Sequence, residues 1–420
     1  MKNILTTFLL FLSVILYSQE EISNKKSNII FTPEIMAGIT AEANTNFPER
    51  DFHKAFSLNL GWKQDNNPQE WAQRLKAPRT GLRLGYSNFG NKDSLGYAIT
   101  LMPTIEFNAF RKKDLKLIVG SGASYFNKKY HPLTNPNNQA VTTDITWSFR
   151  LFMLYHIFST EKMDWRIGGG YSHHSNGHTR LPNQGYNSFL ISLSADIKNS
   201  SKDFLIDNLK DISSFENSRY NYVSFRTGFG INVLSKVHTS KKEVYTLAGE
   251  YGRVYNNTFK IGIGFYYRFY QMYYDYIVDD ESLVQDGREF DYFKENPWRY
   301  ATNFGLSVNG EFLLNHIGID LSLGFNIHKP AYAIDWRINQ GWSVVPRVIP
   351  ENNTNIVLGE FNTKYKVKHI ISARMGLKYY LIGTHKVPKN NIFIGANINT
   401  NLGQADFTEI NLGYVHNFKN

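Results

Sequence analysis

Long runs of strictly alternating residues constrain this sequence most. From residue 317 to residue 328, isoleucine, leucine and phenylalanine hold every second position, and glycine or polar residues hold the positions between them. Residues 223–233, 259–269 and 392–399 repeat the pattern. Because successive side chains of a β-strand point to opposite faces, each run predicts a strand with one apolar and one polar face. Soluble strands usually have about 5–6 residues, so runs this long indicate strands that cross a membrane at a tilt.

The composition excludes several other classes of protein. The 420 residues include no cysteine, which excludes a disulfide framework, a Cys-ligated metal site, a thiol nucleophile and a lipidated N-terminal cysteine. Aromatic residues make up 15%, which argues against a disordered chain. The mean hydropathy of −0.37 is too low for a helical membrane protein. A β-barrel with one polar, solvated face and one apolar face agrees with both the aromatic content and the mean hydropathy.

The N-terminus predicts export. Lys2 precedes an apolar run at residues 4–16, and the small residue Ser18 follows at a suitable cleavage position. These are the parts of a signal peptide, here residues 1–18. The run is shorter than the roughly 20 residues that a membrane-spanning helix needs, and a buried N-terminal helix is the alternative. Residues 19–420 are then expected in the outer membrane.

Sixteen candidate strands can be read from the sequence. They predict an all-β fold, a transmembrane antiparallel β-barrel of about 12–16 strands or a smaller barrel with a β extension. A secreted β-sandwich is the alternative. Residues 199–218 are the best candidate for an internal boundary, but they lack the composition of a linker, so one barrel is the simpler prediction. The candidate strands are 29–39, 54–62, 79–89, 94–109, 114–126, 140–157, 163–175, 186–198, 219–235, 242–254, 258–277, 300–314, 316–328, 366–381, 391–402 and 407–418.

Three polar side chains stand out on the apolar faces of one predicted hairpin. His173 and Ser175 end a strand whose face otherwise carries apolar residues, and Asn187 begins the same face of the next strand. Polar groups that face hydrocarbon are costly and need a reason. Side chains two positions apart are about 6.6 Å apart along a strand, so the imidazole and hydroxyl can lean together. A third group across the hairpin can orient the ring, as in a catalytic triad.

The same hairpin carries a motif in two halves. The string HxSN at residues 173–176 is followed by PNxG at residues 182–185 and a polar residue two positions later. This pattern resembles the lipid A 3-O-deacylase (PagL) family, also called acyloxyacyl hydrolases, which are outer-membrane β-barrel esterases. The wider resemblance covers residues 28–200. Residues 219–420 would then form further strands of unknown role.

The resemblance implies roles for five residues of the motif. Ser175 corresponds to the nucleophile of the family and His173 to its general base. Asn183 corresponds to a side chain of the oxyanion hole, helped by backbone N–H groups around Asn176 and Gly177. The implied reaction is hydrolysis of an ester-linked acyl chain of lipid A, with lipopolysaccharide in the outer leaflet as partner and with no cofactor, metal or nucleic acid.

One position departs from the family, and several other interpretations stay open. Asn187 stands where the family typically has a glutamate, and an amide can orient an imidazole but cannot supply negative charge. His173, His174 and His178 could instead bind a metal, although His174 has the opposite parity. Residues 175–177 could simply form a turn. A transport or structural barrel that kept the motif without activity, or a phospholipase barrel, are the functional alternatives.

The predicted orientation agrees with a lipid A substrate. An even number of strands places both termini in the periplasm, so the seventh strand runs outward. His173 and Ser175 would then lie at the outer leaflet. The formal net charge of +10 suits the anionic phosphates of lipopolysaccharide better than nucleic acid in an exported barrel.

Overall fold

A computed structural model describes residues 29–109, 114–197, 215–339 and 365–418. The predicted signal peptide, residues 1–18, lies outside the described residues, as do parts of the candidate boundary at 199–218 and of the segment between the candidate strands 316–328 and 366–381. No helix in the described part of the chain combines the length and apolarity that crossing a membrane would require.

The first eight strands close into one antiparallel barrel, in which each strand pairs with its neighbours in sequence and β8 returns to pair with β1. A short helix, α1 (Glu70–Arg74), lies between β2 and β3. The strands are β1 (Ile29–Thr40), β2 (His53–Lys63), β3 (Arg79–Asn88), β4 (Tyr97–Asn108), β5 (Leu115–Phe126), β6 (Ile145–Ser159), β7 (Met163–Ser175) and β8 (Tyr186–Ile197).

The last eight strands close into a second antiparallel barrel, in which β16 pairs with β9. They are β9 (Arg219–Asn232), β10 (Lys242–Tyr255), β11 (Phe259–Tyr270), β12 (Thr302–Leu314), β13 (Ile317–His328), β14 (Ile371–Tyr380), β15 (Asn390–Asn401) and β16 (Gln404–Phe418). The helices between them are α2 (Gln271–Val278), α3 (Pro297–Tyr300), α4 (Tyr332–Asn339) and α5 (Tyr365–Ile370), with single 3-10 turns at Asp291–Glu295 and Thr384–Lys386.

The fold confirms an all-β barrel protein with sixteen strands among the described residues, but the expectation of one barrel is wrong. The predicted boundary at residues 199–218 separates the two barrels. Period-2 alternation identifies strands and their faces, whereas it does not say which distant strand closes the sheet. Closure depends on the pairing of β8 with β1 and of β16 with β9. Those pairs join the two ends of each half of the chain.

The two faces of the strands meet different environments. Apolar side chains cover the barrel exteriors; Ile191 and Ile263, for example, are 68% and 66% exposed. The interiors hold buried ion pairs. In the first barrel, Arg150 donates two hydrogen bonds to the carboxylate of Glu34, at 2.6 and 2.7 Å. In the second barrel, Lys378 forms ion pairs with Glu311 and Asp320. Apolar surface outside and ion pairs inside are the arrangement of a barrel that sits in lipid.

The strand directions place the connections at two ends of the molecule. The end that we call the terminal end holds the starts of β1 and β9, helix α1 and the C-terminal end of β16. The opposite end, the loop end, holds the longer connections, with helices α2 to α5 and the turn between β7 and β8. The candidate site predicted from the sequence therefore lies at the loop end of the first barrel.

Candidate active site

An imidazole, an amide and a phenol meet on the exterior of the first barrel. His173 on β7 and Asn187 on β8 are directly opposite each other in the register. The Asn187 Oδ1 atom accepts a hydrogen bond from His173 Nδ1 at 2.8 Å and one from the hydroxyl of Tyr171 at 2.5 Å. An acceptor at Nδ1 places the ring proton there, which leaves Nε2 as the basic nitrogen of the neutral ring.

The hydroxyl of Ser175 is the meeting point of two N–H donors. Asn183 donates from Nδ2 to Ser175 Oγ at 2.8 Å, and the backbone N–H of Gly177 donates to the same oxygen at 3.3 Å. Ser175 itself is only 3% exposed. Donors that converge on a nucleophilic oxygen also lie close to the position of an oxyanion that forms on a carbon bonded to it.

The backbone N–H of Asn176 has a different partner from the oxyanion that the motif suggests. Its backbone N–H donates to Asn183 Oδ1 at 2.9 Å, and its side-chain Nδ2 donates to the carbonyl oxygen of Arg180 at 2.7 Å. The N–H of Asn176 is thus engaged and holds Asn183 rather than facing Ser175 Oγ. Gly177 provides the backbone donor that the motif predicted in this region.

His173 and Ser175 share one face of β7, but no hydrogen bond joins them in the described part of the chain. The same side of β7 carries His173 and Ser175, as their two-residue spacing predicts. Gly185 packs on the imidazole: a Cβ atom at this position would lie 2.7 Å from His173 Cε1. Gly185 also has φ +77°, a conformation that favours glycine. Resting enzymes often have longer catalytic contacts than their substrate complexes, so this geometry is compatible with a base.

The alternative of a histidine metal site does not fit the arrangement. His174 points into the barrel, where its Nδ1 lies 2.8 Å from Ser148 Oγ and its ring contacts Phe126. Within the residues that the structure describes, no group of three or more His, Asp or Glu side chains is placed to hold a metal ion. His173 and His174 lie on opposite faces of the strand, in agreement with their parity.

The second barrel repeats the imidazole–amide–phenol cluster at the terminal end. His416 and Asn390 are directly opposite each other on β16 and β15. Asn390 Oδ1 accepts from His416 Nδ1 and from the hydroxyl of Tyr414, both at 2.7 Å. Phe418 occupies the position that corresponds to Ser175, two residues after the histidine. The cluster alone is therefore not sufficient evidence of catalysis, and the serine with its two donors distinguishes the site in the first barrel.

Sequence reasoning missed three side chains that shape the site. Tyr171 shares the face of His173 and could have been found from its parity. Trp147 is directly opposite Ser175 in the register of β6 and β7. Its indole N–H donates to Thr408 Oγ1 of the second barrel at 3.1 Å. A contact between residues 261 positions apart leaves no local signal in the sequence.

Apolar exteriors, charged interiors and a polar cluster at one end define a membrane-embedded β-barrel protein of the outer-membrane type. Residues 56–196 match the family model of the lipid A 3-O-deacylases (PagL). The match lies within the first barrel and includes the whole hairpin from β7 to β8. It confirms the resemblance that the motif predicts. No curated protein matches the chain.

Solved structures of outer-membrane and designed barrels are similar to parts or all of the chain. The crystal structure of the outer membrane enzyme PagL is 15% identical, covers 39% of this chain and 97% of its own, and has a TM-score of 0.28. A de novo designed transmembrane β-barrel is 11% identical, covering 41% and 99%, with a TM-score of 0.21. OprB from Pseudomonas putida is 10% identical, covering 94% of each chain, with a TM-score of 0.18. At these values the structural likenesses carry no argument about a reaction.

Proposed function

We propose that the first barrel is an outer-membrane esterase that removes an ester-linked fatty acyl chain from lipid A. The observation that carries the proposal is the position of Ser175 Oγ, which receives two N–H donors on the same strand face as an imidazole with its proton on Nδ1. The family match over residues 56–196 supports lipid A as the substrate class. The site lies at the loop end, where the outer leaflet would present that substrate.

The proposed reaction has two steps. Ser175 Oγ attacks the ester carbonyl carbon while His173 Nε2 takes the hydroxyl proton, and the C–O bond to the sugar breaks as His173 returns that proton to the leaving sugar oxygen. A water molecule then gives a proton to His173 and attacks the acyl-serine, which releases the fatty acid and restores the Ser175 hydroxyl. Asn183 Nδ2 and the N–H of Gly177 stabilise the oxyanion in both steps.

Asn187 acts in this scheme as an uncharged orienting group. By accepting from Nδ1 it keeps the basic nitrogen of His173 available, but it does not stabilise the imidazolium by charge. In the serine-protease example, replacing the triad aspartate by asparagine lowers kcat by about 10⁴. There the loss arises from the wrong tautomer, whereas here the amide oxygen selects the correct one. The proposed enzyme is therefore slower than one with a carboxylate, with the same reaction class.

The transport alternative is disfavoured by the interiors. An eight-stranded barrel is about wide enough for its own side chains. Both interiors are crossed by buried ion pairs, Arg150 of β6 with Glu34 of β1 and Arg268 of β11 with Asp406 of β16, each pair lying three strands apart around its barrel. These contacts occupy the space through which a solute would pass.

The direct test is mass spectrometry of lipid A from outer-membrane vesicles that contain the full-length protein. Wild type is expected to release one acyl chain, and Ser175→Ala and His173→Ala are expected to leave acylation unchanged. His416→Ala is the matched control, because it removes the equivalent imidazole from a cluster that lacks a serine, and it should retain activity. Unchanged lipid A with wild type would refute the deacylase. Release of fatty acid from phospholipid alone would favour the phospholipase.

A further inference from the structure

The second barrel reaches the candidate site through one side chain. Thr408 lies on the outward face of β16, between the inward-facing Phe407 and Glu409. Its Oγ1 accepts from the indole N–H of Trp147 at 3.1 Å and donates to the carbonyl oxygen of Gly177 at 3.4 Å. The hydroxyl of Thr408 thus contacts both β6 and the connection between β7 and β8.

Both of those elements adjoin the proposed nucleophile. Trp147 is the residue opposite Ser175 across β6 and β7, a position at which side chains are about 4.5–5.5 Å apart at Cβ. Gly177 donates its N–H to Ser175 Oγ. A movement of Trp147 or of Gly177 would change the surroundings of Ser175 Oγ, and Thr408 contacts both of these residues.

The fit at Gly177 is close enough to depend on the second barrel. A Cβ atom at this position would lie 2.2 Å from Thr408 Oγ1 and 3.2 Å from Trp147 Cδ1, and the backbone has φ +66°. Glycine adopts this positive φ without strain, and any Cβ here would clash with Thr408. The loop that carries the backbone donor is therefore shaped against the second barrel as well as against its own strands.

Other contacts join the two barrels away from Ser175. At the terminal end, Asn257 Nδ2 donates to Glu70 Oε2 at 2.7 Å, and Arg74 donates to the carbonyl oxygen of Phe215 at 3.2 Å. At the loop end, Lys236 Nζ donates to Gln139 Oε1 at 2.6 Å. The barrels are joined at both ends, which restricts rotation of one against the other.

We infer that Thr408 is a positioning residue of the proposed esterase, and that the second barrel completes the active site of the first. This inference rests on the proposed function. The hydroxyl of Thr408 holds the carbonyl of Gly177, and thereby fixes the direction of the backbone at the oxyanion donor, while it also holds the indole beside Ser175. Residues 219–420 would thus serve the reaction without contacting the reacting atoms.

The test compares three variants of the full-length protein in lipopolysaccharide vesicles. Thr408→Val keeps the shape and removes the hydroxyl, and it is expected to lower kcat about ten- to a hundredfold with KM within about twofold of wild type. Thr408→Ser restores the hydroxyl and should restore most of the activity. Asn257→Ala cuts an inter-barrel hydrogen bond at the other end and should retain the wild-type kcat. Migration of unheated samples on gels checks that every variant is folded.

Each outcome decides the inference. Wild-type kcat in Thr408→Val, with Ser175→Ala inactive, would overturn the role of Thr408 and leave the proposed function intact. An equal loss in Asn257→Ala would also overturn it, because the effect would then be a general one of the interface. If Thr408→Val does not fold, Trp147→Phe removes the same hydrogen bond from the other side and must show the kcat loss. Absence of Ser175-dependent release by wild type would refute both proposals.

Discussion

The hydrogen bonds of a single amide oxygen decide how the candidate base is presented. Asn187 Oδ1 accepts from both His173 and Tyr171, so the phenol helps to fix the amide that in turn fixes the imidazole. A carboxylate at this position could accept the same two bonds without moving. The residue is 7% exposed, and both donors are in place to compensate a buried charge.

We therefore expect Asn187→Asp to raise activity. The carboxylate keeps the geometry of the amide and adds the negative charge that stabilises the imidazolium of the transition state, and we expect an increase in kcat of about tenfold. Initial rates of fatty acid release from lipid A measure it. Asn390→Asp, in the corresponding cluster of the second barrel, is the control and should leave the rate unchanged. An unchanged or lower rate in a folded Asn187→Asp variant would contradict the expectation that a charge at residue 187 stabilises the imidazolium.

Tyr171→Phe tests the other bond to the same oxygen. Without the hydroxyl, the amide of Asn187 can rotate and present its N–H groups to the imidazole, which disturbs the tautomer that a base requires. We expect kcat to fall by about three- to tenfold, within the range for one neutral hydrogen bond, with KM unchanged. Steady-state kinetics with Tyr414→Phe as the matched control provide the measurement. Equal rates in the two variants would show that the phenol has no part in the reaction.

At the scale of elements, the connection between β7 and β8 is held by a neighbouring connection rather than by its own strands alone. The backbone N–H groups of Gln184 and Gly185 donate to the carbonyl oxygens of Gln139 and Ala140, at 3.1 and 2.9 Å. Thr142 donates to the carbonyl oxygen of Pro182. These bonds place Gly185 against the ring of His173 and so connect the loop before β6 to the base.

Gly185→Ala is expected to affect the reaction more than a strained turn alone would. The new methyl group would meet the imidazole at 2.7 Å and displace it from its position beside Ser175, in addition to the cost of a positive φ. We expect kcat to fall at least tenfold. Gly403→Ala is the control, because Gly403 has φ +84° with no atom within 4 Å of a Cβ. A similar small effect of both substitutions on the rate would rule out the contact with His173.

The strands and their faces were predictable from the sequence, and so was part of the site. Period-2 alternation identified β13 and β11, and parity placed His173 and Asn187 on one face and His174 on the other. The positions of loop residues were not predictable in the same way. Asn176 became a support for Asn183 because loop backbones satisfy their polar groups through contacts that no periodicity describes. The position of Gly185 against His173 was not predictable either, because it depends on hydrogen bonds to the loop before β6.

At the scale of the whole molecule, sixteen strands form two filled barrels of eight rather than one wide barrel. Composition and alternation are the same for both arrangements, because each has an apolar exterior and a polar interior. The difference lies in long-range pairing, and in buried ion pairs that reach across a narrow interior. Arg166 of β7, for example, forms an ion pair at 3.0 Å with Glu106 of β4, three strands away around the first barrel.

The narrow interiors predict that the protein does not conduct ions as a porin does. Purified protein in planar bilayers should give no stable stepwise conductance, because the ion pairs hold the side chains across each barrel. A porin measured in the same bilayers is the positive control. Reproducible openings of uniform size would contradict filled barrels and would return the transport alternative to first place.

The contact between Trp147 and Thr408 affects how a lipid that diffuses in the plane of the membrane can reach Ser175. The second barrel contacts β6 at Trp147, so a lipid that approaches Ser175 past this residue would meet protein instead of bilayer. In the proposed reaction, arrival of the substrate and departure of the freed fatty acid would then share the opposite flank, along β8 and β1, where Phe189, Ile191 and Ile39 face outward. Turnover at high lipid density would be limited by exchange through that one flank.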